Sequence, residues 1–196
     1  MIIYCKVVRL KCCGVLQSRF CTIITLQLYN ISTTLQHSFM KITFLTVGKT
    51  EDTYLKEGID KYVKRLKHYT KLVIIELDEL KNTKALTSEQ QKTKEAELIL
   101  KKILPLDHVV LLDENGMNLS SRQFAGYLEK KALSSVPNIV FVVGGPYGFD
   151  RTVYERANDK LSLSAMTFSH QMIRLFFIEQ LYRAFTIIKG EPYHHE

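Results

Sequence analysis

The residues best suited to chemistry lie in the last third of the chain. Gly144-Gly145-Pro146-Tyr147-Gly148 follows an unbroken apolar run at 139–143. Glycines placed there let backbone approach a ligand, and Pro146 fixes the turn. A second apolar piece at 160–164 leads into Ala165-Met166-Thr167-Phe168; taken alone, Leu163 and Met166 would be ordinary core. Arg174 stands among apolar residues, and an arginine buried there needs a carboxylate or phosphate partner. Glu179 and Arg183 are spaced i, i+4, the spacing of an intrahelical ion pair. The chain ends in Pro192-Tyr193-His194-His195-Glu196, an aromatic stacking surface beside two titratable imidazoles. Two loops leaving strands, one long helix and a polar aromatic tail make a site on physical grounds.

Two familiar chemistries are disfavoured. Gly48-Lys49-Thr50 suggests a phosphate-binding loop, but that motif needs a glycine five positions before Gly48, where Thr43 stands. His170, His194 and His195 suggest a metal, yet residues 40–196 contain no cysteine and no HExxH spacing. No catalytic metal is expected. A dinucleotide-binding fold is also disfavoured, because its glycines belong after the first strand with an acidic residue about 20 positions on.

The elements that must position these residues are legible from periodicity. Buried strands are expected at 41–47, 72–77, 108–113, 139–143 and 161–163. Helices are expected at 51–67, from a capping box at Ser88 and Gln91 to about 103, from a second box at Ser120 and Gln123, at 153–157, and at 169–188. Glu114-Asn115-Gly116 reads as a turn that exploits positive φ at Gly116. Lys61, Lys64, Arg65 and Lys67 form a basic helix end, a solvated face or an RNA-phosphate contact. His108, alone at a strand entrance, reads as structural. The last helix carries an apolar sector too wide for a lone surface helix, from Met172 through Phe176 and Phe177 to Ile188, which points to burial on more than one side or to a subunit contact. Gly190 stops it and Pro192 keeps the tail extended. Strand and helix alternate throughout, so the fold class is α/β with a largely parallel, covered sheet. Ligands in such sheets bind beyond the carboxyl ends of strands, here the loops after Leu112, after Val143 and around 163–168.

The chain has 196 residues and a formal charge of +7. Its first 39 residues hold Lys6, Arg9, Lys11 and Arg19, all four cysteines and no acidic residue. Without those four cations, residues 40–196 retain 23 basic against 20 acidic residues, a balance that permits RNA without demanding it. The cysteine spacing suits neither zinc nor a redox motif. Residues 1–39 read as neither a secretory signal nor a membrane span, since charged and polar residues interrupt every apolar stretch. An organelle transit peptide is the minor alternative. The segment is expected to be a poorly packed extension upstream of a functional start at Met40, with 40–196 as one domain.

GGPYG, then LSLSAMTFSHQMIRLFFIEQLYRAF, then a terminal PYH, resembles the C-terminal half of the bacterial large-subunit rRNA methyltransferase H (RlmH) family, of the SPOUT class. The resemblance runs from Met40 to the end. It implies a SPOUT-type α/β knot, in which the C-terminal chain forms a trefoil, and a cytoplasmic homodimer with no membrane association. It implies S-adenosyl-L-methionine as cofactor, held by Leu112, Gly144, Leu163, Ser164, Ala165, Met166, Thr167 and Phe168. The reaction implied is N3-methylation of a pseudouridine in helix 69 of 23S rRNA, on assembled ribosomes. Such a transfer needs the methyl in line with an acceptor nitrogen free of its proton. Arg183, Tyr193 and His194 are the candidates for that task, unranked. The competing reading is a non-catalytic RNA- or ribosome-binding protein on the same fold.

Overall fold

The computed structural model describes residues 40–80, 86–134 and 136–193. The expected extension 1–39 and the candidate His194 lie outside the described residues. The elements in chain order are β1 (Lys41–Val47), α1 (Thr53–Leu66), β2 (Lys71–Leu77), α2 (Ser88–Leu100), β3 (His108–Asn118), α3 (Ser121–Leu133), β4 (Asn138–Val143), α4 (Arg151–Arg156), β5 (Asp159–Ser162) and α5 (Met172–Lys189). The strands make one five-stranded sheet in the order β2-β1-β4-β3-β5, with every pairing parallel.

A central strand that meets helices on both faces must be apolar at every position. All six residues of β4 are buried. Ile139, Phe141 and Val143 join one core cluster with Phe124 and Leu128 of α3 and Phe177 and Leu181 of α5. Val140 and Val142 join the other, with Ala96 and Ile99 of α2 and Val153 of α4. Phe177 sits at the centre of the first cluster, its ring centroid 4.7 Å from those of Phe44 and Phe141. α5 packs between α1 and α3, which accounts for the width of its apolar sector.

Five local expectations are corrected. The cap of α2 is Thr87 with Gln90, one residue before the expected pair. β3 does not end at a turn: it continues to Asn118, pairing Leu112 and then Met117 with Leu161, so residues 113–116 bulge from the ladder. Gly116 is not at positive φ; a Cβ there would stand 2.5 Å from the Leu161 nitrogen, so the glycine serves close passage of two backbones. β5 ends at Ser162, leaving Leu163 free to enter a loop. Finally, Gly190 does cap α5 with φ 68°, but the tail then turns, with the Tyr193 N–H donating to the Glu191 carbonyl at 2.9 Å. His108 is structural as expected, its Nε2 2.7 Å from Asp159 Oδ2, which also accepts from the Tyr127 hydroxyl at 2.8 Å.

Candidate active site

The bulge of β3 and the segments that leave the carboxyl ends of β4 and β5 line a cleft of about 780 Å³. Leu112, Gly144, Leu163, Ser164, Met166, Thr167 and Phe168 all line it, and Ala165 does not. Sequence reasoning missed the polar part of the wall, Asp113, Glu114 and Tyr154. The signal was there: an acidic pair directly after a buried strand end is placed for a ligand rather than for a turn.

The loops are shaped by their own hydroxyls. Ser164 Oγ accepts from the Met166 N–H at 2.9 Å, and Ser162 Oγ donates to the Ser164 carbonyl at 2.9 Å. Together these bonds bend the chain outward, and Met166 is 77% exposed. Tyr154 donates its hydroxyl to Asp113 Oδ2 at 2.5 Å. Burial and then the Asp113 hydrogen bond and charge push that phenol up to about 12, so it stays a donor. The glycine loop is braced from α2. Thr93 Oγ1 donates to Asp150 Oδ2 at 3.1 Å, and Glu95, only 3% exposed, lies where a Gly145 side chain would otherwise sit. At Gly144 the reason for glycine is also packing. A Cβ would meet the Phe149 ring at 3.1 to 3.3 Å, so the space left by the missing side chain belongs to Phe149.

Arg183 and Tyr193 are brought together, but away from this cleft. Arg183 Nη2 lies 2.6 Å from Glu179 Oε1, and its guanidinium covers the Tyr193 ring at 5.0 Å. Tyr193 donates to the same Glu179 oxygen at 3.1 Å and packs edge-on against Tyr182 at 4.8 Å. On α5 only Ile173 lines the cleft, and Arg183 is ten residues farther along, about 15 Å at 1.5 Å per residue. Among the described residues no group of three or more His, Cys, Asp or Glu side chains is placed to hold a metal, and no helix is long and apolar enough to cross a membrane.

A family described as "Predicted SPOUT methyltransferase" matches residues 40–194. The chain belongs to that family. Within the SPOUT methyltransferases it belongs with the large-subunit ribosomal RNA methyltransferase H proteins. It is 55% identical over 157 residues to the ribosomal RNA large subunit methyltransferase H of Parabacteroides distasonis, covering 80% of this chain and 100% of that one. The protein of the same name from Flavobacterium psychrophilum is 54% identical over the same length and the same shares. Among solved structures, a probable methyltransferase from Bordetella pertussis is similar with a TM-score of 0.44 and 11% identity, over 79% of this chain and 99% of that one. SPOUT membership and the five-stranded parallel sheet together give the α/β fold class expected from the sequence.

The cleft suits the methyl donor of a SPOUT enzyme. Leu112, Leu163, Met166 and Phe168 supply an apolar slot for a flat ring, while Asp113 and Glu114 present carboxylates to a ligand carrying positive charge.

Proposed function

We propose that this chain methylates N3 of a pseudouridine in helix 69 of 23S rRNA on assembled ribosomes, with S-adenosyl-L-methionine as donor, in the cytoplasm. The observation that carries this reading is the identity, above half, to large-subunit rRNA methyltransferases H over their whole length. The cleft at the ends of β3, β4 and β5 supports it, because seven of the eight residues expected to hold the cofactor line one cavity. The cofactor, when bound, supplies an activated methyl group on a sulfonium. The chain's own work is positioning. Leu112 and Leu163 give the slot apolar wall, and Asp113 and Glu114 face the positive charge of the ligand.

We also propose a homodimer in which the tail of one subunit completes the cleft of the other, and a C-terminal trefoil knot as in the family. Arg183 and Tyr193 support the shared site: Arg183 sits about 15 Å along α5 from the cleft of its own chain and Tyr193 packs against it, so a role at the acceptor base points to a second copy. Phe176, 42% exposed and packed on Phe168 at 4.7 Å beside the cleft, supplies an apolar contact face. In this arrangement Tyr193 stacks on the base, Arg183 stabilises developing negative charge, and His194 is the remaining candidate to accept the proton.

Mass spectrometry of rRNA nucleosides from a deletion strain, with and without the complementing gene, tests the reaction. The methylated pseudouridine should vanish and return. A chain that binds ribosomes but shows no heat of cofactor binding in calorimetry would instead be a non-catalytic RNA-binding relative.

A further inference from the structure

A second cleft, of about 570 Å³, opens between the β1–α1 loop, β2 and α5, and shares no lining residue with the first. Its floor is apolar and its wall carries five charged side chains, Lys49, Lys56, Asp60, Glu76 and Arg174. Arg174 is the anomaly. It is 1% exposed and the largest fully buried side chain among the described residues. One of its terminal nitrogens donates to Thr50 Oγ1 at 3.1 Å and the other to the Val47 carbonyl at 2.8 Å, both neutral acceptors. Its Nε has no partner. Burial pulls its pKa down, and Glu76 and Glu79 oppose that through space, without a hydrogen bond. A guanidinium has five N–H groups in a planar fork suited to phosphate or carboxylate. Burying that charge against two neutral oxygens is costly, and Glu76 and Glu79 offset the cost only through space, so an anion bound in the cleft would add to what holds it.

The rest of the wall says which anion. Lys49 and Lys56 are exposed at the mouth, and Lys49 is held only by a surface pair with Asp78 at 3.3 Å, which a ligand can replace. Two carboxylates repel a bare polyanion, but a carboxylate accepts a hydrogen bond from a sugar hydroxyl. Glu76 Oε1 already takes the Thr50 N–H at 3.2 Å, whereas Asp60, one helical turn after Lys56, is exposed and can accept. The two clefts are also adjacent. Ile173 lines the first and Arg174 the second, so the first turn of α5 divides them, and a single strand crossing it reaches both.

We propose that this second cleft binds a phosphate and ribose of the RNA strand next to the target nucleotide, the phosphate on Arg174, Lys49 and Lys56 and a ribose hydroxyl on Asp60. This rests on the reading that the chain methylates RNA, and extends it to residues outside the cofactor cleft.

The test uses the full chain and spares Arg174, whose loss would disturb the core. A Lys49→Ala, Lys56→Ala double variant is measured by anisotropy with a fluorescein-labelled RNA stem-loop of helix 69 sequence, across a salt series. Its affinity should fall about tenfold and its salt slope by about one, as for one lost phosphate contact. With unmodified ribosomes its KM should rise by a similar factor while kcat and calorimetric cofactor affinity hold. An Asp60→Ala variant should narrow the preference for this RNA over DNA of the same sequence. Unchanged RNA affinity and slope beside an active wild type would overturn the proposal alone. So would a double variant that becomes monomeric in sedimentation, since the cleft would then belong to a subunit contact. A wild type that binds cofactor but neither binds nor methylates RNA would remove the functional reading, and this proposal with it.

Discussion

Tyr193 shows how surroundings decide what a side chain can do. Burial, then hydrogen bonding to Tyr62 and the charge of Glu179, raise its pKa, so its hydroxyl keeps its proton at working pH and cannot serve as the base. In the proposed shared site its contribution is the ring. Tyr193→Phe should therefore retain most activity, whereas Tyr193→Ala should lose about 10- to 100-fold in kcat/KM, the scale of one base–aromatic stack. Equal losses in both would show that the hydroxyl matters. Glu95 is the opposite case, a carboxyl whose pKa is raised from 4.5, mainly by burial, while the Gln91 hydrogen bond works against the shift. A group that holds its proton more tightly when folded favours the folded state at pH below its unfolded value. That advantage disappears as pH rises through the raised folded value. Melting curves from pH 4 to 8 should show Glu95→Gln losing less stability than wild type over the upper part of that range; parallel curves would refute it. Glu95 was illegible in the sequence, because a glutamate in a charged helix reads as solvent-facing. Its burial depends on Gly145, fifty positions away, having no side chain. The glycine run at 144–148 was legible because the composition breaks there within a few residues, whereas 163–168 entered as a cofactor run through the family resemblance.

At the scale of elements, apolar runs, periodicity and capping boxes located the five strands and five helices of the described residues, though not the second half of β3. What periodicity could not convey was how two strands approach each other. Asn115-Gly116 has the composition of a turn, yet it lies in a bulge where β3 presses on β5, and the pressure comes from residues 160 and 161. Gly116→Ala should cost about 1–3 kcal/mol, the usual penalty of overpacking, and weaken cofactor binding, because Asp113 and Glu114 belong to the same bulge. Gly126 provides the control. It lies within α3 and a Cβ would meet nothing within 4 Å, so Gly126→Ala should stabilise by about 0.4–1 kcal/mol through the unfolded chain. Paired denaturant titrations check both, and equal effects would mean the Gly116 contact is relieved elsewhere.

The whole-molecule predictions concern completeness and sharing. The composition break and the family match both fall at Met40, so a chain beginning there should melt and turn over like the full one. A lower Tm or kcat after that removal would show that residues 1–39 contribute. For the shared site, a variant ending at Glu191 is mixed with Met166→Arg. The latter puts a cation into the cofactor cleft at an exposed position, without opening the core. Each should be inactive alone, and a subunit-exchanged equal mixture should recover about a quarter of wild-type activity, since half the dimers are mixed and each has one intact pocket. Exchange without recovery would end the shared-site model. The knot entered through the family resemblance alone, because threading leaves no periodic trace in one sequence, whereas the dimer rested on the resemblance and on the wide apolar sector of the last helix.

The position of β4 has a further consequence, for the order in which the molecule can be made. β1 and β2 pair with each other, as do β3 and β5, but the two halves meet only through β4, where Lys41 pairs with Asn138 and His108 with Ile139. A chain emerging from its N-terminus must therefore carry β1 with an open edge while almost a hundred more residues are added, about 5–20 s at roughly 5–20 residues per second. Until β4 arrives the sheet exists as the β1–β2 pair and a lone β3, each exposing backbone that could pair with another chain, and β5 can join β3 only afterwards. Closing the sheet is thus a late event that β4 makes possible and β5 completes.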